Sequence, residues 1–201
     1  NRVHGGAVLP DPSSEEPFRQ RMTTQIRAKT EIARKAAGLI EPGQTILVDA
    51  GTTTALFARE LAKLSCLTVI TNSLDIATTL QAAGKDVLLL GGRMAADVPA
   101  TFGELTLSEI RRFRVDLCFS APVAVHPATG AFFYDLQEAE IAIAMAAQAL
   151  QSVILADHSK LGKTSRVQSW EVGEIGRLVT NHAADEEQLA AFRQAGVDVV
   201  A

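Results

Sequence analysis

The sequence predicts an α/β domain built on a mainly parallel sheet with helices on both faces. Three observations predict it. Short apolar runs recur as QTILVDA (44–50), LTVITN (67–72), DVLLL (86–90), VDLCF (115–119) and SVILA (152–156). Segments with helical spacing of apolar residues separate most of them. Such near-continuous strands, alternating with helices, belong to sheets covered on both sides rather than to half-exposed antiparallel ones. The chain of 201 residues, 47% hydrophobic and 21% charged, is long enough to bury a large core without disulfides or metal.

The elements follow in order. Residues 1–20 carry His4-Gly5-Gly6 and a Pro10-to-Pro17 stretch rich in breakers and acids, so a linker or arm is expected there, with a single effector-binding domain over 21–201. Ile26, Ile32, Ala33, Ala36 and Ala37 recur at helical spacing, predicting a helix over 24–39 that Glu41-Pro42-Gly43 stops. Strands are expected at 44–50, 67–72, 86–90 and 115–119, with helices at 52–63, 74–83 and 104–113. Residues 124–133 read as a hairpin and the Ala-rich stretch 138–151 as a long helix. Strands at 152–156, 177–180 and 197–200, with a helix at 186–195, complete the pattern.

Composition excludes some functions. The net charge is −4, with 19 Lys and Arg against 23 Asp and Glu. A domain that holds DNA by itself usually carries a basic surface to neutralise phosphates. The one basic cluster, Arg111, Arg112 and Arg114, reads as a solvated helix end. Cys66 and Cys118 sit among apolar residues and are expected as reduced thiols of a cytoplasmic protein. No signal peptide is recognisable at the start, and no apolar run reaches the roughly 18 residues of a membrane helix. His4, His126, His158 and His182 are scattered, so neither a metal site nor a cofactor is expected.

Ligands of such sheets bind beyond the carboxyl ends of the strands. The sharpest strand exit is Asp49-Ala50-Gly51-Thr52-Thr53-Thr54. Gly51 permits close approach, and the next residues open a helix whose first amides lack helical partners. Those amides, the helix dipole and three hydroxyls form a cradle for a phosphate-sized anion. The ordinary alternative is one threonine capping the helix, but three in a row exceed that need. The Gly-Lys-Ser/Thr ending of a nucleotide P-loop is absent. Asn72 and Ser73 either start the next helix or offer amide and hydroxyl groups to a sugar. Gly92 and Arg93 form either a turn or a clamp for an anion. Asp157 and Lys160 are either a surface ion pair or a place where an ammonium faces an anionic ligand.

Taken in order, Asp49-to-Thr54, Val69-Ile70-Thr71-Asn72-Ser73, Leu89-Leu90-Gly91-Gly92-Arg93 and Ala156-to-Gly162 resemble the effector domain of DeoR-family repressors. Arg2-Val3-His4-Gly5-Gly6-Ala7 resembles the segment joining that family's winged helix to its sensor domain, and Arg21, Lys29 and Ile32-Ala33 fit the helix that follows. The resemblance spans nearly the whole chain. It implies a fold like that of ribose-5-phosphate isomerase and the coenzyme A transferases, and a homodimer or homotetramer. It also implies a phosphorylated sugar or sugar-acid effector, and DNA contact only through a winged helix-turn-helix lying before Asn1. The ligand's anion would dock on residues 51–54 beside Lys160 and Arg93. Its hydroxyls would meet Asn72, Glu138 and Asp49 or Asp97, with Tyr134 and Asp135 near Glu138. The sequence departs from the family at Ser120-Ala121-Pro122-Val123-Ala124, where a glycine-bearing stretch is usual, and at Ala142 and Ile143, where basic residues are common.

The main rival is a sugar-phosphate isomerase. Isomerisation needs a base within reach of a proton beside a carbonyl. Where those enzymes carry an Asp-Gly-Ala-Asp-Glu segment, this chain reads Ser120-to-Ala124. Binding groups remain while acid–base groups are missing, as a sensor requires. Coenzyme A transfer would need a glutamate nucleophile in a suitable loop; Glu138 is the only attractive candidate, and a binding role explains it more simply.

Overall fold

The computed structural model describes residues 16–201 in full, together with the backbone of two short strands before them, β1 (Arg2–Val3) and β2 (Gly6–Ala7). Most of the arm expected at 1–20 lies outside the described residues. The elements that follow are α1 (Phe18–Arg21), α2 (Ile26–Ala37), β3 (Thr45–Val48), α3 (Thr52–Leu61), β4 (Thr68–Thr71), α4 (Leu74–Ala82) and β5 (Asp86–Leu89). Next come β6 (Arg93–Met94), β7 (Thr101–Phe102), α5 (Glu104–Ile110), β8 (Val115–Ser120), β9 (Ala124–His126), β10 (Gly130–Phe133) and α6 (Leu136–Ala146). The chain ends with β11 (Ala149–Leu155), β12 (Val167–Trp170), β13 (Arg177–Val179), α7 (Glu186–Gln194) and β14 (Asp198–Val200).

The main sheet has seven strands in the order β14-β13-β11-β8-β3-β4-β5, every pair parallel. The predicted fold class is the observed one. Strand alternation sorts its residues between two cores. Ile46, Val48, Leu117, Phe119, Val153 and Leu155 face α2, α3 and α4, while Leu47, Cys118 and Ile154 face α5, α6 and α7. On the first face Phe57 of α3 meets Phe119 with ring centroids 4.7 Å apart. Burying an aromatic side chain of this kind contributes about 2–3 kcal/mol. On the second face a small antiparallel sheet, β12-β10-β9, lies against α6, and the Trp170 indole N–H donates to the Ala142 carbonyl at 3.0 Å.

Two expectations are corrected. The helix expected at 138–151 starts at Leu136, because the Asp135 carboxylate accepts the Gln137 N–H at 2.8 Å and caps it. It ends at Ala146, because Ala149–Leu155 pairs in parallel with β8, opening at Ala149 opposite Val115. Sheet pairing there overrides the helix propensity of an Ala-rich stretch. The strand β12 and the short pair β6–β7 had no clear signal in the sequence. The hairpin expected at 124–133 is present as β9–β10.

Candidate functional site

Because the sheet is parallel, the carboxyl ends of β3, β4, β8 and β11 open on one edge. Gly51 is the N-cap of α3 in an extended conformation, and no side chain caps that helix. The first hydrogen bond back to the cap is Ala55 N–H to the Gly51 carbonyl at 2.9 Å. The three amides before it therefore lack helical partners. Thr54 Oγ1 donates to the Gly51 carbonyl at 3.0 Å, so the third threonine is committed to holding the turn. Thr53 is fully buried, and its Oγ1 has no hydrogen-bond partner among the described residues. Such an orphan usually costs about 1–3 kcal/mol and calls for an explanation. Asn72 is also fully buried: its Nδ2 donates to the Thr101 carbonyl at 3.0 Å, while its Oδ1 lacks a partner among the described residues. Ser73 caps α4 by accepting the Ile76 N–H at 3.4 Å, the structural one of its two predicted roles.

Asp49 closes β3 from below. Its carboxylate accepts the Ser120 hydroxyl at 2.5 Å and the Ala121 N–H at 3.2 Å. Burial pushes the Asp49 carboxyl up to about 7, against the opposing pull of those two donors and of the Lys160 charge. The stretch 120–124, noted above as departing from the DeoR pattern, is a wall of the site. Ala121 Cβ would lie 3.3 Å from a Cβ on Gly51, and the Pro122 carbonyl accepts the Lys160 ammonium at 2.6 Å. Asp157 is buried and accepts the Ser159 N–H at 3.0 Å, fixing the turn that carries Lys160.

Thr52 and Lys160 line one cavity of about 280 Å³; Gly51, Thr53 and Thr54 are not among the residues that line it. The cavity also takes in Arg21, Lys29, Ser159 and Lys163, which the sequence reading had not placed in a site. Lys29 had a signal: a lysine on the apolar side of an amphipathic helix, near Ile32 and Ala33. Burial and the Lys160 charge lower its ammonium to about 8. A second cavity of about 510 Å³ holds Asp97, Tyr134, Asp135 and Glu138, and Arg21 borders both. Asp97 accepts the Phe18 N–H at 2.9 Å and lies 3.9 Å from the Arg21 guanidinium. Gly92 and the exposed Arg93 instead line a third groove, with Phe102, Glu104 and Leu105. Arg93 thus does not share the Lys160 cavity. Among the described residues no cluster of His, Cys, Asp and Glu is arranged to hold a metal, and no helix is long and apolar enough to cross a membrane.

Fold and site together define an α/β domain with a cationic cavity at the carboxyl edge of its sheet. The chain belongs to the DeoR C terminal sensor domain family, whose model matches residues 24–182. It is 31% identical over 201 residues to the HTH-type transcriptional repressor GlcR of Bacillus subtilis, covering 99% of this chain and 77% of the relative. The Glycerol-3-phosphate regulon repressor of Escherichia coli is 31% identical over 181 residues, covering 90% and 72%. Among solved structures, ribose 5 phosphate isomerase A from Neisseria gonorrhoeae superposes with a TM-score of 0.51 at 20% identity, covering 69% of this chain and 55% of that one. That likeness is one of fold. Both of these sequence relatives are named as repressors.

Proposed function

We propose that this domain is the effector-binding part of a transcriptional repressor and that it senses a phosphorylated sugar or sugar-acid metabolite. The observation that carries the reading is the shared cavity: the uncapped start of α3 and the Lys160 ammonium border the same space. Helix amides and a lysine from a separate strand exit suit one anionic group. The relative named for the glycerol-3-phosphate regulon supports a small phosphorylated effector. Asn72 Oδ1, Thr53 Oγ1 and the carboxylates of Asp49 and Glu138 are the groups proposed to meet ligand hydroxyls. Arg93, in its separate groove, is proposed only as an outer contact for an anion. Occupancy favours one arrangement of a homodimer or homotetramer, and that arrangement sets DNA binding through a winged helix-turn-helix domain. Only a difference in affinity between the two arrangements can drive that shift.

Thermal-shift screening and calorimetry against phosphosugars and their unphosphorylated parents test the reading. A phosphorylated ligand raises the melting temperature, and Lys160→Ala weakens it by about tenfold or more, the scale of one charge-assisted hydrogen bond. Thr53→Ala weakens it less. A broad phosphorylated panel that leaves the melting temperature of wild type unchanged sinks the reading.

A further inference from the structure

We infer that Lys29 reads the charge of the bound anion and couples its arrival to the position of α1. The inference rests on the anion site proposed above and deepens it. Lys29 belongs to α2, is only 3% exposed, and borders the same cavity as Thr52 and Lys160. Its ammonium carries three donors, and its hydrogen bond among the described residues goes to a neutral acceptor, the Arg21 carbonyl, at 2.5 Å. That carbonyl is the last residue of α1. The same helix is tied at its other end by the Phe18 N–H to Asp97, and Phe18 is buried in the core. Arg21 itself borders both the Lys160 cavity and the carboxylate-lined one. Among the described residues the ties on this short helix include the Phe18 and Arg21 contacts to Asp97 and the Lys29 hydrogen bond, the last supplied by a residue of the anion cavity.

The charges around Lys29 indicate what moves it. The cations Arg21, Lys160 and Lys163 and the carboxylates Asp157 and Glu16 share its cavity. Among the described lining residues, with Lys29 itself, four cations face two carboxylates, and Asp97 of the neighbouring cavity lies 3.9 Å from Arg21. A phosphate monoester, whose second proton leaves near pH 6, brings about two negative charges at neutral pH, and a carboxylate brings one. The dianion neutralises more of this positive charge. A charged oxygen is also a stronger acceptor for an ammonium than a peptide carbonyl, by roughly a factor of two in hydrogen-bond strength. An arriving phosphate thus draws the Lys29 ammonium off the Arg21 carbonyl, and α1 loses that tie. Burial and the neighbouring cations hold Lys29 near 8, so its proton is secured by the ligand and is lost from the empty site in mild alkali.

The test uses the whole chain with inorganic phosphate and glycerol 3-phosphate as probes and glycerate as the carboxylate control. Calorimetry from pH 5 to 9 is expected to show phosphate binding that strengthens toward pH 7, as the second proton leaves, and weakens above pH 8. Lys29→Gln weakens it by about tenfold at pH 7 and narrows the preference over glycerate. Lys29→Arg retains binding and reduces the alkaline fall, since a guanidinium does not deprotonate there and the contribution of Asp49 is left. Hydrogen exchange of the wild-type chain supplies a readout independent of any variant. Phosphate accelerates exchange at Phe18–Met22 by about threefold or more, as a segment opening more readily must. If a probe binds but exchange at α1 stays unchanged, or Lys29→Gln binds as wild type does, the coupling is wrong and the anion site stands. If neither phosphate binds wild type, both fall together.

Discussion

Gly130→Ala is expected to lower the melting temperature by roughly 4–20 °C. Gly130 opens β10 at the tip of the β9–β10 hairpin with φ of 103°, a region that side-chain-bearing residues rarely enter. Forcing alanine there costs about 1–2 kcal/mol from the backbone alone. The new methyl group also meets backbone rather than yielding side chains. Its nearest neighbours are the Trp170 carbonyl oxygen, the Glu171 carbonyl carbon at 2.8 Å and the Val172 nitrogen at 2.9 Å. Relieving that collision means moving β12 off β10, where the register already shifts between Ala131 and Phe132. Overpacking of this kind adds about 1–3 kcal/mol. For a chain of this size each kcal/mol is worth roughly 2–4 °C. Trp170 is anchored at the same place, so near-ultraviolet circular dichroism follows the loss alongside thermal denaturation. A variant melting within about 2 °C of wild type would show that β12 yields easily.

How much of this was readable in advance depended on where the determining contact lay. The parallel strands were legible because each buries both faces: Ile46, Leu47 and Val48 are all apolar, and all three are fully buried. The cradle at Gly51–Thr54 was legible because glycine followed by threonines at a strand exit is a local signal. Lys160 was legible in its turn, Asp157-His158-Ser159-Lys160, for the same reason. Arg21 and Lys29 were seen only as fitting a helix. What makes them site residues is the fold of residues 16–29 back over the carboxyl edge of the sheet, and no spacing in the sequence encodes that. Arg93 was misjudged by the same limit. A strand exit pointed to the common edge, but the pair β6–β7 turns the side chain into a separate groove. The end of α6 was missed because Ala147–Gln151 has strong local helix character, and only its distant partner β8 decides otherwise. The stretch 120–124 looked like a loss of family character. Its backbone positions two of the candidate groups: the Ala121 N–H and the Pro122 carbonyl hold Asp49 and Lys160, and neither depends on the side chain present.

The second large effect is a stability change with pH that Asp49→Asn abolishes. Asp49 is 3% exposed, and its carboxyl is raised from the ordinary 3.8 to about 7. In the folded chain it therefore keeps a proton that the unfolded chain has released. Folding stability from this group is full below about pH 4 and is lost as pH rises through 7. The shift corresponds to a difference on the order of 4 kcal/mol between acid and mild alkali. Wild type is expected to lose stability between pH 5 and 8. Asp49→Asn, which cannot ionise but whose carbonyl oxygen still accepts from Ser120 and Ala121, is expected to show a flatter profile and to exceed wild type at pH 8. Urea denaturation at each pH measures both. The result bears on the site, because an anion arriving beside Lys160 offsets the positive charge that favours ionised Asp49, and so drives proton uptake there. Calorimetry of phosphate binding near pH 7, in buffers of different ionisation enthalpy, then shows an uptake that Asp49→Asn diminishes. Parallel stability profiles for the two proteins would mean that Asp49 stays ionised throughout, with Ser120, Ala121 and Lys160 together outweighing its burial.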